Sequence, residues 1–504
     1  MTPDHQVIII GAGFGGIGAG IALKKAGLHD FVIYERAKEI GGTWRDNTYP
    51  DVAVDIPSFS YQFSFEQNPG WSRVFAKGAE VKRYAEHCVF KYELSSHLRF
   101  GSEVRGRRWD EANHVWWVDV NGREVSARFV ISALGAFIDP KKPEFPGLDT
   151  FQGKLIHAQR WDHDYDFSGK RVAVIGTGST AVQLIPQLAK KASKFTVFQR
   201  RPIWVFLKPD YEISPFVQGL FAKLPILQSA VRMITSAAIE FVLVGITVHG
   251  KRVPPFSDIP ALFCKAYLRS QVKDPVLRKK LTPEYGFGCK RPSMSNEYYQ
   301  TFTKPHVALI TERIEAITPR GVRTADGVEH ELDALVLATG FRLSYDPENY
   351  REKPVRGRDG FDLADFYERE PLQAYQGVSL PKLPNLFTIF GPYSWTGSSW
   401  HTMVEAQSHH AVRVISEAVR RGATAVAVKE EANKRFFEFI RKRSRNSLLY
   451  SGKCGSANTY YFDHHGDFSL LRPTSSLQAV HAAKTFPLDD YRYEQAQQQA
   501  LAAQ

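Results

Sequence analysis

Short apolar runs that end in glycines indicate where strands lead into helices in this chain. Val7 to Ile10 is a β-branched run that ends at the glycine-rich segment Gly11 to Gly16. Ile17 to Ala26 then has the small and apolar residues of a buried helix, and Phe31 to Tyr34 is a second apolar run, closed by Glu35. The pattern predicts a strand, a glycine turn, a helix and a second strand, in that order.

The same order of elements recurs in the middle of the chain. Arg171 to Ile175 predicts a strand, and Gly176 to Ala181 predicts the glycine turn that follows it. A helix is expected to run from there to about Ala192. Phe195 to Phe198 predicts the second strand, which ends at Gln199-Arg200-Arg201. The chain therefore contains two units of the kind that bind dinucleotides.

The two units differ in the residue that closes the second strand. Glu35 follows Gly11 by 24 positions, and Arg200 follows Gly176 by 24 positions. At this place an acidic side chain accepts hydrogen bonds from the hydroxyls of the adenosine ribose, whereas an arginine suits a 2′-phosphate. The first unit is therefore predicted to bind FAD or NAD, and the second to bind NADP.

The pattern between and after the two units predicts the remaining organisation. Pro140 to Pro146 is too rich in proline for a helix or a central strand and is predicted to be a linker. Tyr211 to about Leu281 has helical apolar spacing, whereas Tyr298 to Ile310 and Gly321 to Phe341 alternate as strands do. The tail after Asp490 is rich in Gln and Ala and is predicted to be a frayed helix.

These elements predict an α/β fold with two Rossmann-like dinucleotide-binding domains, one for FAD and one for NADP. A helical insertion is expected inside the NADP domain. Residues 1–145 and 341–504 are predicted to form the FAD domain, and 146–208 and 285–340 the NADP domain. The helical insertion is predicted at 209–284.

Composition excludes some classes of protein but leaves the partners open. The 504 residues are 43% hydrophobic and 23% charged, which is globular and not disordered, collagen-like or coiled-coil. The formal net charge of +12 is compatible with nucleic acid, anionic lipid or phosphate-bearing ligands. The basic cluster Arg441 to Arg445 has no interleaved aromatic residues, so it is typical of a solvated helix face, and nucleic acid binding is not expected.

Cysteines and apolar segments bear on location. The chain has four widely separated cysteines: Cys88, Cys264, Cys289 and Cys454. They form no C-x-x-C pair, which favours a reducing compartment, and the N-terminus lacks the features of a signal peptide, so a cytoplasmic location is expected. Arg232 to Lys251 is the most apolar stretch, but Glu240 near its middle costs roughly 2.5 to 3.5 kcal/mol in a spanning helix. A transmembrane span is not expected, and a buried or interface-lying helix stays open.

A segment between the two units carries a family resemblance. Phe151 to Asp162 matches the F-x-G-x-x-x-H-x-x-x-W-(P/D) fingerprint of type I Baeyer–Villiger monooxygenases, and it lies just before the second glycine turn, as it does in that family. The chain resembles the family along nearly its whole length. Further matches are Gly41 to Trp44, Tyr49 to Asp55, Lys290 to Pro292, Ala338 to Gly340 and Pro384 to Phe387.

The resemblance implies a flavoenzyme that takes hydride from NADPH, traps O2 as a flavin peroxide and inserts one oxygen atom next to a ketone carbonyl. The product is an ester or a lactone. Such a reaction needs a fixed cation and a dry cavity, because negative charge develops while water must be kept out. The resemblance implies Arg291 as this cation and Asp55 as its counter-charge. His157 of the fingerprint is interpreted as structural.

The cofactor residues are carried over from the resemblance position by position. For FAD they are Gly11, Gly13, Gly16, Glu35, Thr43, Trp44, Asp46, Asp55, Tyr61 and Val104. For NADP they are Thr177, Gly178, Ser179, Thr180, Ala181, Val182, Gln183, Arg200, Arg201 and Lys290, and Arg291 is expected to contact a cofactor as well as the ketone. Arg201 departs from many family members, which have threonine there, so this chain offers two adjacent cations to one phosphate. No metal site is expected, because the histidine pairs lack carboxylates at ligand spacing.

Three other functions remain as alternatives. Flavin monooxygenases that oxygenate nitrogen or sulfur have a related fingerprint that usually lacks the ending Trp161-Asp162. Pyridine nucleotide-disulfide reductases have the same two units but need a cysteine pair, and this chain is expected to lack one. A flavin-bearing scaffold that binds nucleic acid is the non-enzymatic alternative. The apolar residues of the helical insertion favour an apolar ketone as substrate, although core packing explains the same composition.

Overall fold

An eight-stranded sheet forms around the first glycine unit in the computed structural model, which describes residues 1–251, 254–397, 399–457 and 459–496. His5–Ile10 lies between Phe31–Tyr34 and Arg123–Ser132 and is parallel to both. Its residues Val7 to Ile9 are fully buried, as expected for a strand covered on both faces. The spatial order is Val355–Arg356, Val104–Asp110, Val115–Val120, Arg123–Ser132, His5–Ile10, Phe31–Tyr34 and Leu98–Arg99, with Leu386–Thr388 also paired to Arg123–Ser132.

Two long helices pack against each other beside this sheet. Phe14–Lys25 follows the first glycine turn, and Trp400–Arg420 lies against it. A Cβ at Gly18 would lie 2.5 Å from Cγ1 of Val404, so glycine at this position permits the close approach of the two helices. The first unit is thus completed by a helix from the C-terminal part of the chain.

A five-stranded, fully parallel sheet forms around the second glycine unit. The spatial order is Val307–Ile310, Lys194–Phe198, Arg171–Ile175, Ala334–Leu337 and Lys154–His157. The helix Ser179–Ala189 follows the glycine turn and buries Ala181, Val182 and Leu184 in a core of its own. The two Rossmann-like sheets confirm the predicted fold class.

The stretch predicted to be helical after the second unit is mostly helical. Its helices are Pro215–Lys223, Pro225–Ile239, the π-helical Glu240–Gly245, Ile246–His249, Pro254–Gln271 and Pro275–Leu281. Prolines occupy the first turn of four of them, where the missing N–H costs nothing. Ser214 and Asp274 cap two of these helices by accepting backbone hydrogen bonds. No helix among the described residues is long and apolar enough to cross a membrane.

Shorter elements connect the two sheets. The small sheets pair Val205–Phe206 with Ser293–Met294, Phe137–Pro140 with Phe341–Leu343, Ala425–Val428 with Tyr491–Glu494, and Ile314–Thr318 with Gly321–Thr324 and Glu329–Glu331. The other α-helices are Thr43–Asp46, Gly78–Lys91, Tyr298–Thr301, Pro347–Glu352, Leu363–Arg369, Glu430–Ser444 and Ser476–Thr485. Turns of 3-10 helix occur at Ser95–His97, Leu148–Thr150, Ala158–Arg160, Arg358–Gly360, Leu448–Tyr450 and Leu488–Asp490.

Two of the predicted elements are wrong in part. Tyr298–Thr301 is a helical turn with both tyrosines buried, and only Val307–Ile310 of that stretch is a strand. The tail is also different, because Tyr491–Glu494 pairs antiparallel with Ala425–Val428 instead of forming a helix. Residues 497–504 of the predicted tail lie outside the described residues. In both places contacts with distant parts of the chain outweigh the local pattern.

The cysteines also depart from the sequence-based interpretation. Cys289 and Cys454 form a disulfide across 165 positions of sequence, although no close spacing predicted a pair. The fold pairs the two loops that carry these cysteines. The N–H of Gly286 in one loop donates a hydrogen bond to the carbonyl oxygen of Lys453 in the other (3.0 Å). This bond contradicts the expectation that the chain lacks a cysteine pair, and it removes the cysteine argument for a reducing compartment.

Candidate functional site

The first glycine turn opens a large cleft beside the eight-stranded sheet. Gly11 has φ +100°, and a Cβ there would lie 2.8 Å from the carbonyl oxygen of Ala133. A Cβ at Gly16 would lie 1.9 Å from the carbonyl oxygen of Gly11, so only glycine lets the helix begin this close to the strand. The cleft has a cavity volume of about 270 Å³. The uncapped N-terminus of Phe14–Lys25 begins at this turn and favours a negatively charged group.

Glu35 is held rigidly at the end of the second strand. Its Oε2 accepts a hydrogen bond from the N–H of Ala12 (2.8 Å), and its Oε1 accepts one from the N–H of Ala37 (2.9 Å). Arg45 places Nη1 3.0 Å from Oε1 and also binds Asp46 with Nε (2.7 Å). Because each carboxylate oxygen can accept two hydrogen bonds, Oε2 of Glu35 keeps capacity for a ligand hydroxyl.

The structure gathers most of the predicted FAD residues around this cleft. Those that line it are Gly11, Gly13, Glu35, Thr43, Trp44, Asp46, Tyr61 and Val104. Gly16 lies beneath the turn, buried against Gly11. Asp55 does not belong to the lining. Burial raises the pKa of Tyr61, one of the lining residues, and the charge of Asp55 raises it further, so Asp55 lies within electrostatic range of the cleft.

Sequence reasoning missed an arginine in the wall of the cleft. Arg107 is 7% exposed, and the one hydrogen bond of its side chain among the described residues goes from Nη2 to the hydroxyl of Ser132 (3.4 Å). Its Nε is buried without a partner there, and burial lowers the pKa of Arg107 to about 10. A buried cation with unsatisfied donors is costly unless a ligand supplies acceptors. Alternation along Val104–Asp110 gave no signal for it, because a register shift between Val104 and Gly106 breaks the period, so that Val104 and Arg107 are both buried.

Arg291 and Asp55 form a bidentate ion pair next to the cleft. Nε of Arg291 donates to Oδ2 of Asp55 (2.6 Å), and Nη2 donates to Oδ1 (3.1 Å). Burial alone would raise the pKa of Asp55, but the charge and hydrogen bonds of Arg291 outweigh it and hold the pKa below its usual value. The same carboxylate raises the pKa of Arg291 despite burial. Both groups therefore stay charged over the whole working range of pH.

Aromatic side chains surround this ion pair. The guanidinium of Arg291 lies 5.3 Å from the ring centroid of Trp395, and Nη1 donates to the carbonyl oxygen of Gly397 (3.3 Å). The rings of Tyr460 and Tyr461 are 5.0 Å apart, and the charge of Arg291 affects the pKa of both. Sequence reasoning did not find these two tyrosines. Trp395 follows a glycine–proline pair, which was the one available signal for it.

The predicted NADP residues lie around the second glycine turn, away from the cleft. Gly176 has φ +122°, and a Cβ there would meet the carbonyl oxygen of Ala338 at 2.3 Å. A Cβ at Gly178 would meet nothing within 4 Å, so the turn is open on that side. The hydroxyl of Thr177 donates to the carbonyl oxygen of Arg201 (2.6 Å). Ala181 and Val182 have fully buried side chains in the core of the second sheet.

Three residues of the helix after this turn contact other parts of the chain. The hydroxyl of Ser179 lies 2.9 Å from that of Ser293. The side chain of Thr180 forms a hydrogen bond with that of Tyr49, which lies in the loop that leads to Asp55. Oε1 of Gln183 accepts from the N–H of Ala53 (2.9 Å), and its Nε2 donates to the carbonyl oxygen of the same residue (3.3 Å). These contacts join the second unit directly to the loop that carries Asp55.

Three cations gather at the end of the second strand of this unit. Burial lowers the pKa of Lys290, and the nearby charges of Arg200 and Arg201 lower it further. No carboxylate among the described residues forms an ion pair with any of the three side chains. Like charges without an acidic partner repel one another, so an anion bound between them would be strongly stabilised.

Residues of the fingerprint segment make structural contacts within the second unit. The ring of Trp161 stacks on that of Phe167 with centroids 5.5 Å apart, and Asp162 pairs with Nζ of Lys154 at 2.5 Å. Nδ1 of His157 accepts from the N–H of Gln159 (3.2 Å) at the end of the edge strand. These contacts stabilise the edge of the second sheet, and none of these residues lines the cleft.

Comparisons with known proteins agree with this geometry. The pyridine nucleotide-disulphide oxidoreductase family matches residues 8–251. A Baeyer-Villiger monooxygenase of Streptomyces coelicolor is 36% identical over 489 residues, which are 97% of this chain and 92% of that protein. One of Pseudomonas aeruginosa is 37% identical over 90% of this chain and 84% of that protein. The chain belongs to the Baeyer-Villiger monooxygenase family.

Solved structures of this family share the fold. A cyclohexanone monooxygenase from Rhodococcus sp. Phi1 bound to NADP+ has a TM-score of 0.87 and 27% identity, covering 98% of this chain and 100% of that one. OTEMO in complex with FAD and NADP has a TM-score of 0.86 and 26% identity, with the same coverage. The resemblance drawn from the fingerprint is confirmed. The match to the disulphide oxidoreductase family reflects shared dinucleotide units, since Cys289 and Cys454 do not line the cleft.

Proposed function

We propose that this Baeyer-Villiger monooxygenase family member is an FAD-dependent, NADPH-consuming enzyme. It inserts one atom of O2 next to a ketone carbonyl and so produces an ester or a lactone. The observation that carries the proposal is the bidentate pair of Arg291 and Asp55 beside a dinucleotide cleft. A fixed, permanently charged guanidinium at that place suits a reaction in which negative charge develops on a carbonyl oxygen.

The residues of the cleft fit FAD. The glycines at 11 and 16 leave no room for a side chain and let the backbone of the turn approach a diphosphate. Arg107 offers donors that lack a partner among the described residues, and Glu35 keeps an acceptor for a ribose hydroxyl. When bound, FAD supplies the redox and oxygen chemistry, and the protein supplies its position and the surrounding charges.

Arg291 is the catalytic cation in this proposal. Its guanidinium stabilises the negative charge that develops on the oxygen of the ketone carbonyl, and Asp55 holds the guanidinium in one orientation. Gly397 fixes a third nitrogen through its carbonyl oxygen. The rings of Trp395 and Tyr461 beside it exclude water and so strengthen the electrostatic interaction.

The second unit suits NADPH better than NADH. Arg200, Arg201 and Lys290 bring three positive charges together, which matches the 2′-phosphate that distinguishes the two nicotinamides. The open side of the turn at Gly178 and the uncapped start of Ser179–Ala189 suit the diphosphate. The division into FAD and NADP domains proposed from the sequence is compatible with this arrangement.

The aromatic surroundings of Arg291 favour an apolar ketone. Trp395, Tyr460 and Tyr461 offer ring surface with few charged groups, and such surface gains most by contact with an apolar substrate. We also propose a cytoplasmic location, where NADPH is kept reduced. The disulfide between Cys289 and Cys454 argues for testing this directly, by fractionating cells and locating the protein with an antibody.

The experiment that tests the function uses the purified protein. It should be yellow, with FAD released unchanged on denaturation, and it should oxidise NADPH faster when a ketone is added. Linear, cyclic, aryl and steroidal ketones are supplied in parallel, and products are identified by a mass gain of one oxygen and by hydrolysis to an acid and an alcohol. Oxygenation of amines or sulfides with no ester from any ketone would instead establish the nitrogen and sulfur class. A protein that does not bind FAD would contradict the whole proposal.

A further inference from the structure

One helical segment of the protein has its apolar side chains on the outside. The segment 225–249 consists of Pro225–Ile239, Glu240–Gly245 and Ile246–His249 in direct succession. Along it the most exposed apolar side chains are Ile226 (76%), Met233 (69%), Ile234 (65%) and Phe241 (80%). Their spacing of seven or eight positions places them on one face of the helix. We call these four residues the outer stripe.

The polar side chains of the same helix face the protein. Gln228 is 1% exposed and donates a hydrogen bond to the carbonyl oxygen of Asn68. The hydroxyls of Thr235 and Ser236 lie 2.8 and 3.0 Å from the hydroxyl of Ser60. A surface helix of a globular protein normally has the opposite arrangement, with its apolar face on the core. The helix is therefore inverted, and its outer stripe is suited to an apolar environment outside the protein.

The charges next to the outer stripe are almost all positive. From Ile213 to Ser257 the one acidic residue is Glu240, and its carboxylate accepts hydrogen bonds from the backbone and hydroxyl of Ser476. Lys223 precedes the helical segment and Lys251 follows it, and both side chains are exposed.

The basic cluster Arg441–Arg445 lies at the end of this segment. Nζ of Lys251 donates to the carbonyl oxygen of Arg445 (3.0 Å), which brings the cluster next to the helix. The side chains of Arg441, Lys442 and Arg445 are exposed. Part of the net positive charge of the chain is therefore concentrated beside the apolar outer stripe. This combination suits a bilayer, which has an apolar interior and, where its lipids are anionic, a negatively charged surface.

We propose that segment 225–249 binds flat on a phospholipid bilayer that carries anionic headgroups. The outer stripe enters the boundary between headgroups and acyl chains, and Lys223, Lys251 and the Arg441–Arg445 cluster contact the headgroup phosphates. The segment lies on the bilayer and does not cross it, because no described helix is long and apolar enough to span. A second copy of this chain fits the stripe less well, since a symmetric contact would bring the same cations together.

Sedimentation with lipid vesicles tests the proposal on the full-length, FAD-loaded protein. One set of vesicles is phosphatidylcholine alone, and the other contains one part phosphatidylglycerol in three. The protein should bind the anionic vesicles more tightly, and added salt should weaken that binding. Joint replacement of Met233→Ser, Ile234→Ser and Phe241→Ser should weaken binding to anionic vesicles by at least roughly 100-fold, since each side chain contributes about tenfold or more when buried.

Matched variants separate the two contributions. Phe90→Ser removes an equally exposed aromatic ring (82%) from another helix and should leave binding unchanged. Joint replacement of Arg441→Gln, Lys442→Gln and Arg445→Gln should weaken binding to anionic vesicles by about fivefold per cation and leave the weak binding to phosphatidylcholine unchanged. Bound FAD and the far-ultraviolet circular dichroism of each variant verify that it is folded.

Three results would overturn the proposal. The first is no binding of the unmodified protein to either kind of vesicle. The second is equal binding of the unmodified protein and the stripe variant. The third is a change of oligomeric state, measured by light scattering, that the stripe substitutions abolish while vesicle binding stays the same. The third result would assign the outer stripe to a second copy of the chain.

Discussion

Arg291 and Asp55 act as one unit at the scale of single residues. They are 236 positions apart, yet both oxygens of the carboxylate receive hydrogen bonds from the guanidinium. A partly buried ion pair contributes little net stability, because the cost of desolvating the charges offsets most of their attraction. Its presence beside the cleft therefore has its explanation in the chemistry that we propose for Arg291. Replacing Arg291 should therefore change both the yield of ester and the stability of the fold, and these two effects can be measured independently.

The first prediction concerns the fate of NADPH in Arg291→Ala. FAD content should be nearly unchanged, because Gly11, Glu35 and the other lining residues are not altered. The amount of ester formed per NADPH consumed should fall by ~10² or more, since loss of one preorganised electrostatic donor has that effect. Product mass and hydrogen peroxide are measured together. Arg108→Ala, at an exposed pair with Glu124, serves as the control, and an Arg291→Ala enzyme that still makes ester from most of its NADPH would disprove the role.

The second prediction concerns pH. Arg291 holds the pKa of Asp55 below its usual value, so the pair stabilises the fold above the usual value and loses this effect as the pH falls through the lowered pKa of the folded protein. In Arg291→Ala we expect burial to outweigh the smaller lowering by the charge of Lys208 and to raise the pKa of Asp55, so the carboxylate destabilises the fold near neutral pH and is relieved by protonation. The deficit in Tm against the unmodified protein should therefore shrink as pH falls from about 8 to about 5. Arg291→Ala with Asp55→Asn should show a smaller deficit that does not vary with pH, and a pH-independent deficit in the single variant would contradict this.

The third prediction concerns the choice of nicotinamide. If Arg200 and Arg201 both contact the 2′-phosphate, NADPH should reduce the flavin much more efficiently than NADH, because each charge-assisted hydrogen bond contributes about 1.5 to 3 kcal/mol. Arg200→Ala should lose more of this preference than Arg201→Ala, because Arg200 occupies the same position in the second unit as Glu35 does in the first. Stopped-flow reduction with both nicotinamides measures the ratio. Equal rates in the unmodified protein would refute the assignment.

Two elements that are distant in sequence position Arg291. The loop that ends at Cys289 is joined to the segment around Cys454 by the disulfide and by the hydrogen bond from Gly286 to Lys453. The same C-terminal segment continues to Tyr460 and Tyr461 beside the guanidinium. The structure thus relates the environment of Arg291 to the pairing of two loops and not to one motif.

The fourth prediction tests this pairing by thiol labelling. Cys88 and Cys264 are almost fully buried, and burial raises the pKa of each thiol to about 12, so neither should react in the folded protein near pH 8. After denaturation without reductant Cys88 and Cys264 should be alkylated and Cys289 and Cys454 should not, whereas reduction before alkylation should allow all four to react; denaturation is needed because Cys289 and Cys454 are as buried as the free thiols. Peptide mass spectrometry identifies the labelled sites. Cys289→Ser with Cys454→Ser is the control that should show the same labelling with and without reductant, and labelling of Cys289 in the denatured protein before reduction would show that the disulfide does not form in solution.

The whole molecule is two dinucleotide sheets in contact around one junction. Gln183 of the second unit exchanges two hydrogen bonds with Ala53, and Thr180 contacts Tyr49. The loop 49–55 therefore contacts the second unit directly and also carries the carboxylate that binds Arg291. Ligand binding to either unit is expected to stabilise the pair of sheets as a whole.

The fifth prediction concerns removal of FAD. The stripped protein should have a lower Tm than the FAD-loaded protein, because a ligand at 100 times its Kd stabilises the folded state by about 2.7 kcal/mol. In Arg107→Met the gain in Tm on adding FAD should be smaller, since the buried donors no longer meet the ligand. Arg105→Met, an exposed position on the same strand, is the matched control. An unchanged gain in Arg107→Met would remove Arg107 from the binding site.

The sequence patterns within each glycine unit were sufficient to predict its strands and its turn. The strands Phe31–Tyr34 and Arg171–Ile175 have the predicted bounds, because β-branched runs and glycines at positive φ depend on sterics within a few residues. The assignment of a different dinucleotide to each unit also depends only on local sequence, because Glu35 and Arg200 occupy the same position within their units. The roles of Arg291 and Asp55, in contrast, came from family resemblance, since no rule of spacing relates residues that far apart.

Tertiary structure alone decided which distant residues meet. The tail strand at Tyr491–Glu494 exists because Ala425–Val428 offers an edge, and Cys289 meets Cys454 because two loops pair. The burial of Arg107 without an acidic partner depends on what surrounds its strand. The inverted helix 225–249 is another case: periodicity predicts an apolar face, but only the packing of Gln228 against the protein decides that this face points outward. Sequence patterns specify local conformation and period, whereas contacts between distant segments depend on how the whole chain closes.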